Sequence, residues 1–394
     1  LSITEWKPIT GSLPPLTQED WDCEFDKYRA SPEFQMLNSR MTLYEFKKIY
    51  YMEWGHRLWG RAIGLSFVLP AVYFISKRKV SFPMCIRLFS ISGLIGFQGF
   101  LGWYMVKSGL GEDLFAPGSH PRVSQYRLAA HLGTALTCFT SMLWNGLAIL
   151  RTHRLLSQPE YSHTLLKQLS SPSLSSFRKC VAVLSVLIFT TALSGAFVAG
   201  LDAGLVYNQF PRMGDGFIPP KDELFDPSYS FKTDNGDLIW RNLFENPVTV
   251  QFNHRVLATV TFSAVLALWA YSRFNPLVRK CLPDSVHRAM LGVAHLVLLQ
   301  ASLGISTLIY LVPIPLAAMH QAGALALLSG IITLGSRVWI PTRTWALVRS
   351  RLNRPPISLQ RMSPKAQITI KDIQTRYPPC DFSKSLKAVH TFAR

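Results

Sequence analysis

Seven apolar blocks of about 20 residues run along the 394-residue chain and limit what it can fold into. Each holds few charges away from its ends, and a helix of that length crosses a hydrocarbon core about 30 Å thick. Only 16% of the residues are charged, against about 25% in ordinary soluble proteins. The sequence therefore predicts an all-α membrane protein. Its membrane helices are predicted at 54–76, 84–106, 126–150, 178–201, 249–271, 286–310 and 316–337.

The basic residues are unevenly distributed. The chain has 41 Lys and Arg against 23 Asp and Glu, a balance that nucleic-acid-binding proteins share. Here the basic residues cluster in alternate loops, as at 76–79, 151–154 and 278–280, and after Arg337, whereas the loop at 202–247 is acidic. This alternation is the positive-inside pattern of membrane proteins. It predicts no nucleic-acid partner and places the basic loops on one side of the membrane.

The chain contains two copies of one pattern. GHRLWGRAIG at 55–64 matches NHRVLATVTF at 253–262, FQGFLGW at 97–103 matches LQASLGI at 299–305, and AAHLGTAL at 129–136 matches AMHQAGAL at 318–325. The order is the same in both copies, which predicts duplicated four-helix-bundle repeats of the parallel kind known in membrane proteins. We assign 1–170 to the N-terminal repeat, 171–340 to the C-terminal repeat and 341–394 to a basic tail.

One element of the first repeat lacks its counterpart. The loop LSITEWKPITGSLPP at 1–15 resembles LVYNQFPRMGDGFIPP at 205–220, which follows the apolar block at 178–201. We therefore expect a further helix before Leu1, giving eight in the intact protein, and a processed or truncated N-terminus. The inserted segment 16–50 is predicted to be partly helical, and the tail after 340 mostly irregular.

Four histidines occupy matching places in the two repeats: His56, His131, His254 and His320. Each is expected in the first two turns of its helix. All four helices are expected to begin on the acidic side, so the rings would lie within about 10 Å of that surface at 1.5 Å per residue. A single intramembrane histidine is often a satisfied polar group, which is how we interpret His295. Recurrence at four matching positions favours a functional role, as is common for ionisable residues in membranes.

Two imidazoles per repeat fit a haem better than a zinc ion. Zinc takes three or four ligands and recruits cysteine or carboxylate, whereas haem iron takes two axial ligands from opposite faces. The six cysteines show no CxxC pair and no regular spacing, so they predict neither a zinc site nor a disulfide framework. A small residue follows each histidine by four positions, which leaves space for a flat ring, although ordinary helix contacts use the same residue types. These residues are Gly60, Ala135, Ala258 and Ala324.

Arg57 and Arg255 directly follow the first histidine of each repeat. They are candidates for binding haem propionates, because arginine can hold a carboxylate through two donors. Snorkelling of the side chain at a helix end is an equally open alternative.

The two repeats differ at one titratable position. Glu53 lies three residues before His56 and shares its helix face, whereas the matching residue before His254 is Gln251. Only the first repeat then offers a group that could take a proton or stabilise a cation beside the macrocycle. This predicts a reactive first half and an electron-transfer haem in the second. A glutamate favoured by the helix dipole is the alternative.

Taken together, the motifs EWGHRLWGR, AAHLGTAL, NHRVLATV and MHQAGAL, with the loop GLVYNQFPRMGDGFIPP, resemble the haem A synthase family over about residues 1–340. The insertion before His56 resembles the mitochondrial branch. The resemblance implies an oxidoreductase that converts a methyl group of haem O to the formyl group of haem A, by successive hydroxylation and loss of water, while a bound haem b passes electrons. It also implies roles for five residues: His254 and His320 as axial ligands of haem b, His56 and His131 as the residues that hold the substrate haem, and Glu53 as the catalytic carboxylate.

The resemblance further implies a multi-pass protein of the mitochondrial inner membrane with its haem sites toward the intermembrane space. Electrons would come from a ferredoxin and its reductase, and the partners would include haem O synthase and cytochrome c oxidase assembly factors. A homo-oligomer is left open. Many bacterial relatives carry a cysteine pair in the loop after the first helix, but only Cys23 lies in this region here, so a disulfide is not expected there.

Two other functions stay open on the sequence alone. A di-haem b-type electron carrier would stack its haems near opposite membrane faces, whereas all four histidines are expected near one face. A haem carrier or assembly factor that delivers haem unaltered would not need the difference between Glu53 and Gln251.

Overall fold

Helices are the only regular elements in the described part of the chain. The computed structural model describes residues 2–7, 10–115, 121–234 and 236–352, and no strand occurs among them. The helices are α1 (Gln18–Arg29), α2 (Pro32–Leu37), α3 (Leu43–Ser76), α4 (Phe82–Ser108), α5 (Gln125–Ser157), α6 (Pro159–Leu169), α7 (Ser175–Gly200), α8 (Lys221–Leu224), α9 (Leu238–Glu245), α10 (Pro247–Phe274), α11 (Pro276–Cys281), α12 (Asp284–Ile309), α13 (Ile314–Val338) and α14 (Thr342–Leu352).

Seven of these helices are long and apolar enough to cross a membrane: α3, α4, α5, α7, α10, α12 and α13. Each contains one of the apolar blocks identified in the sequence, and no block runs more than a residue or two past the end of its helix. The prediction of an all-α membrane protein is confirmed.

Contacts divide the described residues into two compact units, one ending at Pro121 and the other beginning at Arg122. This division separates α3 and α4 from α5 and does not coincide with the repeat boundary predicted between 170 and 171. Contacts group residues by proximity, whereas the repeats group them by matching sequence. The repeat boundaries therefore stay a prediction.

In the second unit, four helices form a closed bundle. Their contacts run in a ring from α7 to α10, α12, α13 and back to α7, and α5 packs outside against α7 and α13. The bundle centre buries aliphatic side chains that include Val181, Val265, Met290, Leu328 and Ile331. These four helices are the ones predicted for the C-terminal repeat, so α10 and α13 stand diagonally opposite each other within it.

In the first unit, α3 packs against α4, and the inserted segment folds into α1 and α2. Thr17 and Asp20 form a capping box that starts α1. The insertion and the first turns of α3 share an aromatic core, which buries Trp21, Phe25, Tyr28, Phe34, Phe46 and Tyr50. The prediction that the insertion is partly helical is confirmed.

Helix α3 begins earlier than the sequence predicted. It starts at Leu43, where Thr42 and Glu45 form a second capping box. Because His56 lies 13 residues beyond Leu43, the prediction that it falls in the first two helical turns is wrong. The added turns are stabilised by the aromatic core, which a search for membrane-length apolar blocks does not register.

The segment after 340 also differs from its prediction where it is described. Thr342–Leu352 forms α14 at the start of a tail that was predicted to be mostly irregular. The hydroxyl groups of Thr344 and Thr152 lie 2.9 Å apart and join α14 to α5. The remainder of the predicted tail, 353–394, lies outside the described residues.

Candidate functional site

Two of the four predicted histidines meet inside the closed bundle. His254 lies seven residues after the start of α10, and His320 lies six residues after the start of α13. Their ring centroids are 6.5 Å apart, and the ring planes are inclined at 85°. The structure therefore brings together the pair that the sequence assigned to the second repeat.

The separation of the two rings suits a single metal ion between them. Imidazole nitrogens bind first-row metals at about 2.0–2.1 Å. Two rings on opposite sides of one metal then have nitrogens roughly 4 Å apart and centres roughly 6–7 Å apart. No group of three or more His, Cys, Asp or Glu side chains converges on one point in the described ranges. A donor set of two imidazoles fits the two axial positions of haem iron.

Polar contacts around this pair are incomplete within the described part of the chain. Ser194 Oγ lies 2.7 Å from Nδ1 of His254. Nδ1 of His320 is buried and has no hydrogen-bond partner among the described residues, and the same holds for Nε of Arg255 and Oε1 of Gln251. Buried polar atoms of native proteins are nearly always satisfied, so these atoms indicate a group that completes the site.

Two glycines lie against the imidazole rings. A Cβ added to Gly195 of α7 would stand 3.4 Å from Cε1 of His254, and one added to Gly304 of α12 would stand 2.8 Å from Cε1 of His320. The second distance is shorter than any van der Waals contact, so only glycine leaves the His320 ring where it is. The small residue that adjoins each ring thus comes from a neighbouring helix, in addition to Ala258 and Ala324 on the histidines' own helices.

The arginines that follow His56 and His254 anchor the two matching loops. Arg57 donates from Nη2 to the carbonyl of Ile3 at 2.8 Å and from Nη1 to that of Glu5 at 3.1 Å. Arg255 donates from Nη2 to the carbonyl of Tyr207 at 2.7 Å and from Nη1 to that of Arg212 at 3.1 Å. Ile3 and Tyr207 are each the third residue of their loop. This role in both copies supports the duplication, and sequence reasoning had not considered it.

Glu53 and Gln251 contact these same loops, but Glu53 accepts hydrogen bonds and Gln251 donates one. Oε2 of Glu53 accepts hydrogen bonds from the backbone N–H of Ser2 at 2.8 Å, from its hydroxyl at 2.9 Å and from the N–H of Ile3 at 3.2 Å. Oε1 accepts from Nη2 of Arg57 at 2.7 Å. Gln251 instead donates from Nε2 to the carbonyl of Tyr207 at 2.9 Å. Four donors therefore surround the carboxylate, which distinguishes it from a capping residue at a helix start.

His56 and His131 lie in different compact units. His56 is on α3 in the first unit, and His131 is the seventh residue of α5 in the second. Apart from its chain neighbours and its own helix backbone, no described atom lies within 4 Å of the position that a Cβ on Gly60 would take, one turn after His56. The pairing of these two histidines stays a prediction, as do the roles assigned to them.

Hydrogen bonds to carboxylates of the acidic loop between α7 and α10 stabilise that loop. Asp237 accepts from Ser230 Oγ at 2.6 Å and from Arg241 Nε at 2.7 Å. These contacts, led by the Ser230 hydroxyl, hold the pKa of Asp237 well below its usual range. Tyr207 donates its hydroxyl to Glu223, which raises the pKa of this tyrosine to about 12. The loop is thereby held in the conformation that presents the Tyr207 carbonyl to Arg255.

Sequence reasoning missed several residues of this site. Gln300 donates from Nε2 to the backbone carbonyl of His320 at 3.0 Å, and Gly304 adjoins its ring. Both belong to the repeated motif LQASLGI, so their recurrence could have identified them. Ser194 and Gly195 lie in an apolar block with no matching partner in this sequence, and no signal in the chain marks them.

Comparison with known proteins places these residues in a family. The sequence model of the COX15-CtaA family, described as "Cytochrome oxidase assembly protein", matches residues 1–332. The chain is 52% identical over 343 residues to "Heme A synthase COX15" of Saccharomyces cerevisiae, covering 86% of this chain and 70% of that protein. It is 48% identical over 337 residues to "Heme A synthase COX15" of Homo sapiens, covering 85% and 74%.

A third relative joins two proteins in one chain. The "Heme A synthase-mitochondrial ferredoxin fusion protein" of Schizosaccharomyces pombe is 49% identical over 342 residues, covering 86% of this chain and 55% of the fusion. The resemblance found in the sequence motifs is therefore confirmed by a match that spans most of the chain. The chain belongs to the COX15-CtaA family of cytochrome oxidase assembly proteins.

Proposed function

We propose that this chain is a haem A synthase, an oxidoreductase that oxidises a methyl group of haem O to the formyl group of haem A. The single observation that carries the proposal is the facing pair of His254 and His320, 6.5 Å apart, in a family whose curated members are named heme A synthases. Two hydroxylations at one carbon, each using dioxygen as the oxidant with two electrons and two protons and releasing one water, would give a hydrated aldehyde. The hydrated aldehyde then loses water to leave the formyl group.

His254 and His320 would hold a resident haem b. The fit rests on their separation, on the unpartnered Nδ1 of His320 and on the space that Gly304 leaves. Held by these two imidazoles, the haem would supply one-electron transfer. The chain's part is to fix the two rings and to exclude water from the bundle centre.

The loop-anchoring contacts of Arg255 leave one of its donors without a partner among the described residues. Nε of Arg255 is buried with no partner in the part of the chain that the structure describes. A propionate within its reach would gain a charge-assisted hydrogen bond. We propose that Arg255 binds both the loop at 205–220 and a haem b propionate. Arg57 would bind the loop at 1–15 and a propionate of the substrate haem in the same way.

His56 and His131 would hold the substrate haem, and Glu53 would act beside it. Of the two roles open to this carboxylate, stabilising positive charge fits its contacts better than accepting a proton. Four donors already occupy its oxygens, and an oxygen that accepts such bonds is a weaker base. We propose that Glu53 stays anionic and stabilises positive charge that develops on the oxidised substituent.

The proposed setting is the mitochondrial inner membrane, with the haem sites toward the intermembrane space. Seven membrane-length helices and the alternation of basic and acidic loops support a multi-pass orientation with the basic side in the matrix. The fused mitochondrial ferredoxin of the S. pombe relative supports a ferredoxin as electron donor. A ferredoxin reductase would reduce that ferredoxin. We further propose haem O synthase and cytochrome c oxidase assembly factors as partners.

The test is turnover by the purified full-length protein in lipid nanodiscs. Haem O, ferredoxin, its reductase and NADPH are supplied, and extracted haems are separated by chromatography. The proposal predicts hydroxylated haem followed by haem A, together with one resident haem b per chain. Stable binding of haem O without any oxidised product would contradict the synthase and favour the haem carrier.

A further inference from the structure

We propose that Ser194 is a positioning residue that fixes the tautomer and ring orientation of His254, so that Nε2 is the nitrogen available to a metal. The inference rests on the proposed function, because it concerns the ring that would bind haem b. It assigns a role to a hydroxyl group on the membrane-length helix α7.

The direction of the contact follows from counting protons. Ser194 Oγ lies 2.7 Å from the backbone carbonyl oxygen of Thr191 and 2.7 Å from Nδ1 of His254. A carbonyl oxygen can only accept, and a serine hydroxyl has a single proton to donate. The proton therefore points at Thr191, and Oγ accepts a hydrogen bond from His254. Nδ1 carries the ring proton, so Nε2 of the neutral imidazole keeps its lone pair.

A second hydroxyl contact fixes α7 against α10. Thr191 Oγ1 donates to the carbonyl of Leu187 at 2.8 Å and lies 2.7 Å from Oγ1 of Thr261. Thr261 is buried and lies seven residues, about two turns, beyond His254, so both face α7. The helix that carries His254 is thus held at two points, and rotation of α10 about its axis would break both contacts.

Gly195 lies against the His254 ring, next to Ser194. The position of its missing Cβ is 3.4 Å from Cε1 of His254, the carbon between the two ring nitrogens. Ser194 therefore holds one ring nitrogen while the adjacent residue bounds the neighbouring carbon. Two consecutive residues of α7 set both the tilt and the rotation of the imidazole.

The opposite ligand has no such partner. Nδ1 of His320 is buried without a hydrogen bond in the described ranges, and only its backbone carbonyl is braced, by Gln300. A ligating histidine that donates its second N–H is a more basic ligand, and loss of that partner typically costs 10–100-fold in metal affinity or activity. We therefore expect His254 to be the stronger ligand and to lower the reduction potential of the bound iron.

The test compares Ser194→Ala with Ser194→Thr and with Ser185→Ala in the purified haem-loaded full-length protein. Ser185 is the matched control, because it lies on the same helix and its hydroxyl bonds the carbonyl of Val181 at 2.7 Å without reaching a histidine. We measure the midpoint potential of haem b by redox titration and the rate of haem transfer to apomyoglobin. Ser194→Ala should raise the potential and release haem about tenfold faster or more, Ser194→Thr should restore both, and Ser185→Ala should match the wild type.

Each other outcome has one meaning. If the potential and the release rate of Ser194→Ala equal those of the wild type, the role of Ser194 is overturned, but the proposed function is not. Equal effects of Ser194→Ala and Ser185→Ala would show a general loosening of α7 and would also overturn it. If Ser194→Ala retains no haem at all, restoration by Ser194→Thr supports the proposal, and failure of that restoration contradicts it. A wild-type protein without b-type haem would instead contradict the proposed function.

Discussion

Gly304 of α12 approaches His320 of α13 so closely that a methyl group at the glycine would stand 2.8 Å from the ring carbon Cε1. The nearest atoms belong to the end of a side chain, so an added methyl would displace the ring and leave the backbone in place. This contact separates an effect on metal ligation from an effect on folding.

Gly304→Ala should therefore release haem b while the helical fold remains. We expect at least a tenfold loss of haem per chain in the purified protein, with an unchanged far-ultraviolet circular dichroism spectrum. Gly292→Ala is the control, because this glycine is on the same helix and a Cβ there meets no described atom within 4 Å apart from its chain neighbours and its own helix backbone. Equal haem content in the two variants would show that the His320 ring is not a ligand in this position.

Glu53→Gln should lower the conversion of haem O by about a hundredfold or more, the range expected when a group that stabilises developing charge is removed. It should leave haem b in place, because the second compact unit contains that site. Ser2→Ala is the matched control: it removes the hydroxyl donor to Glu53 but keeps the carboxylate and its backbone donors. Normal turnover in Glu53→Gln would remove the proposed role of this residue.

Arg255→Ala should loosen the loop at 205–220, because the Arg212 carbonyl loses its arginine donor and the Tyr207 carbonyl keeps only the hydrogen bond from Gln251. Hydrogen bonds from a charged group contribute about 1.5–3 kcal/mol each, so limited proteolysis within this loop should become at least tenfold faster. If Arg255 also binds a propionate, haem b is lost in parallel, and added haem protects the loop in the wild type only. Full haem retention with rapid cleavage would restrict Arg255 to loop anchoring.

Asp237→Asn should loosen the segment at 230–241, which the carboxylate holds through Ser230, Arg241 and two backbone N–H groups. The folded pKa of Asp237 lies below that of an unstructured aspartate, about 3.9. The contacts therefore stabilise the loop fully above that pH and are lost only as the pH falls through the lower folded value. Hydrogen exchange, corrected for its intrinsic pH dependence, should show constant protection from pH 7 to about 4.5 in the wild type and weaker protection throughout in Asp237→Asn. Protection that declines between pH 7 and pH 5 would contradict this assignment.

The membrane helices were predictable because a hydrocarbon core selects for apolar length, and that requirement acts on each helix alone. The start of α3 was not predictable in this way. It depends on Phe46 and Tyr50 being covered by α1 and α2, which is a tertiary contact between segments that are polar on average.

In the candidate site, too, some residues could be predicted from the sequence, and others depend on tertiary contacts. His254 and His320 could be paired from the sequence because duplication repeats their spacing. The loop-anchoring role of Arg255 could not, since its acceptors are backbone carbonyls, and every residue type presents the same carbonyl. Ser194 was hidden for a related reason, because a serine within an apolar helix usually bonds its own backbone, and only the fold brings His254 to it.

We propose that His254 and His320 hold one iron porphyrin between them, and electron paramagnetic resonance of the purified protein can test this ligation. With the ring planes inclined at 85°, each imidazole interacts with a different iron d orbital, which leaves these orbitals close in energy. The purified ferric protein should then give a low-spin electron paramagnetic resonance signal with a large maximal g value. His254→Ala and His320→Ala should each abolish that signal, whereas His56→Ala should keep it. A bis-imidazole haem b signal that survives in both His254→Ala and His320→Ala would contradict the account.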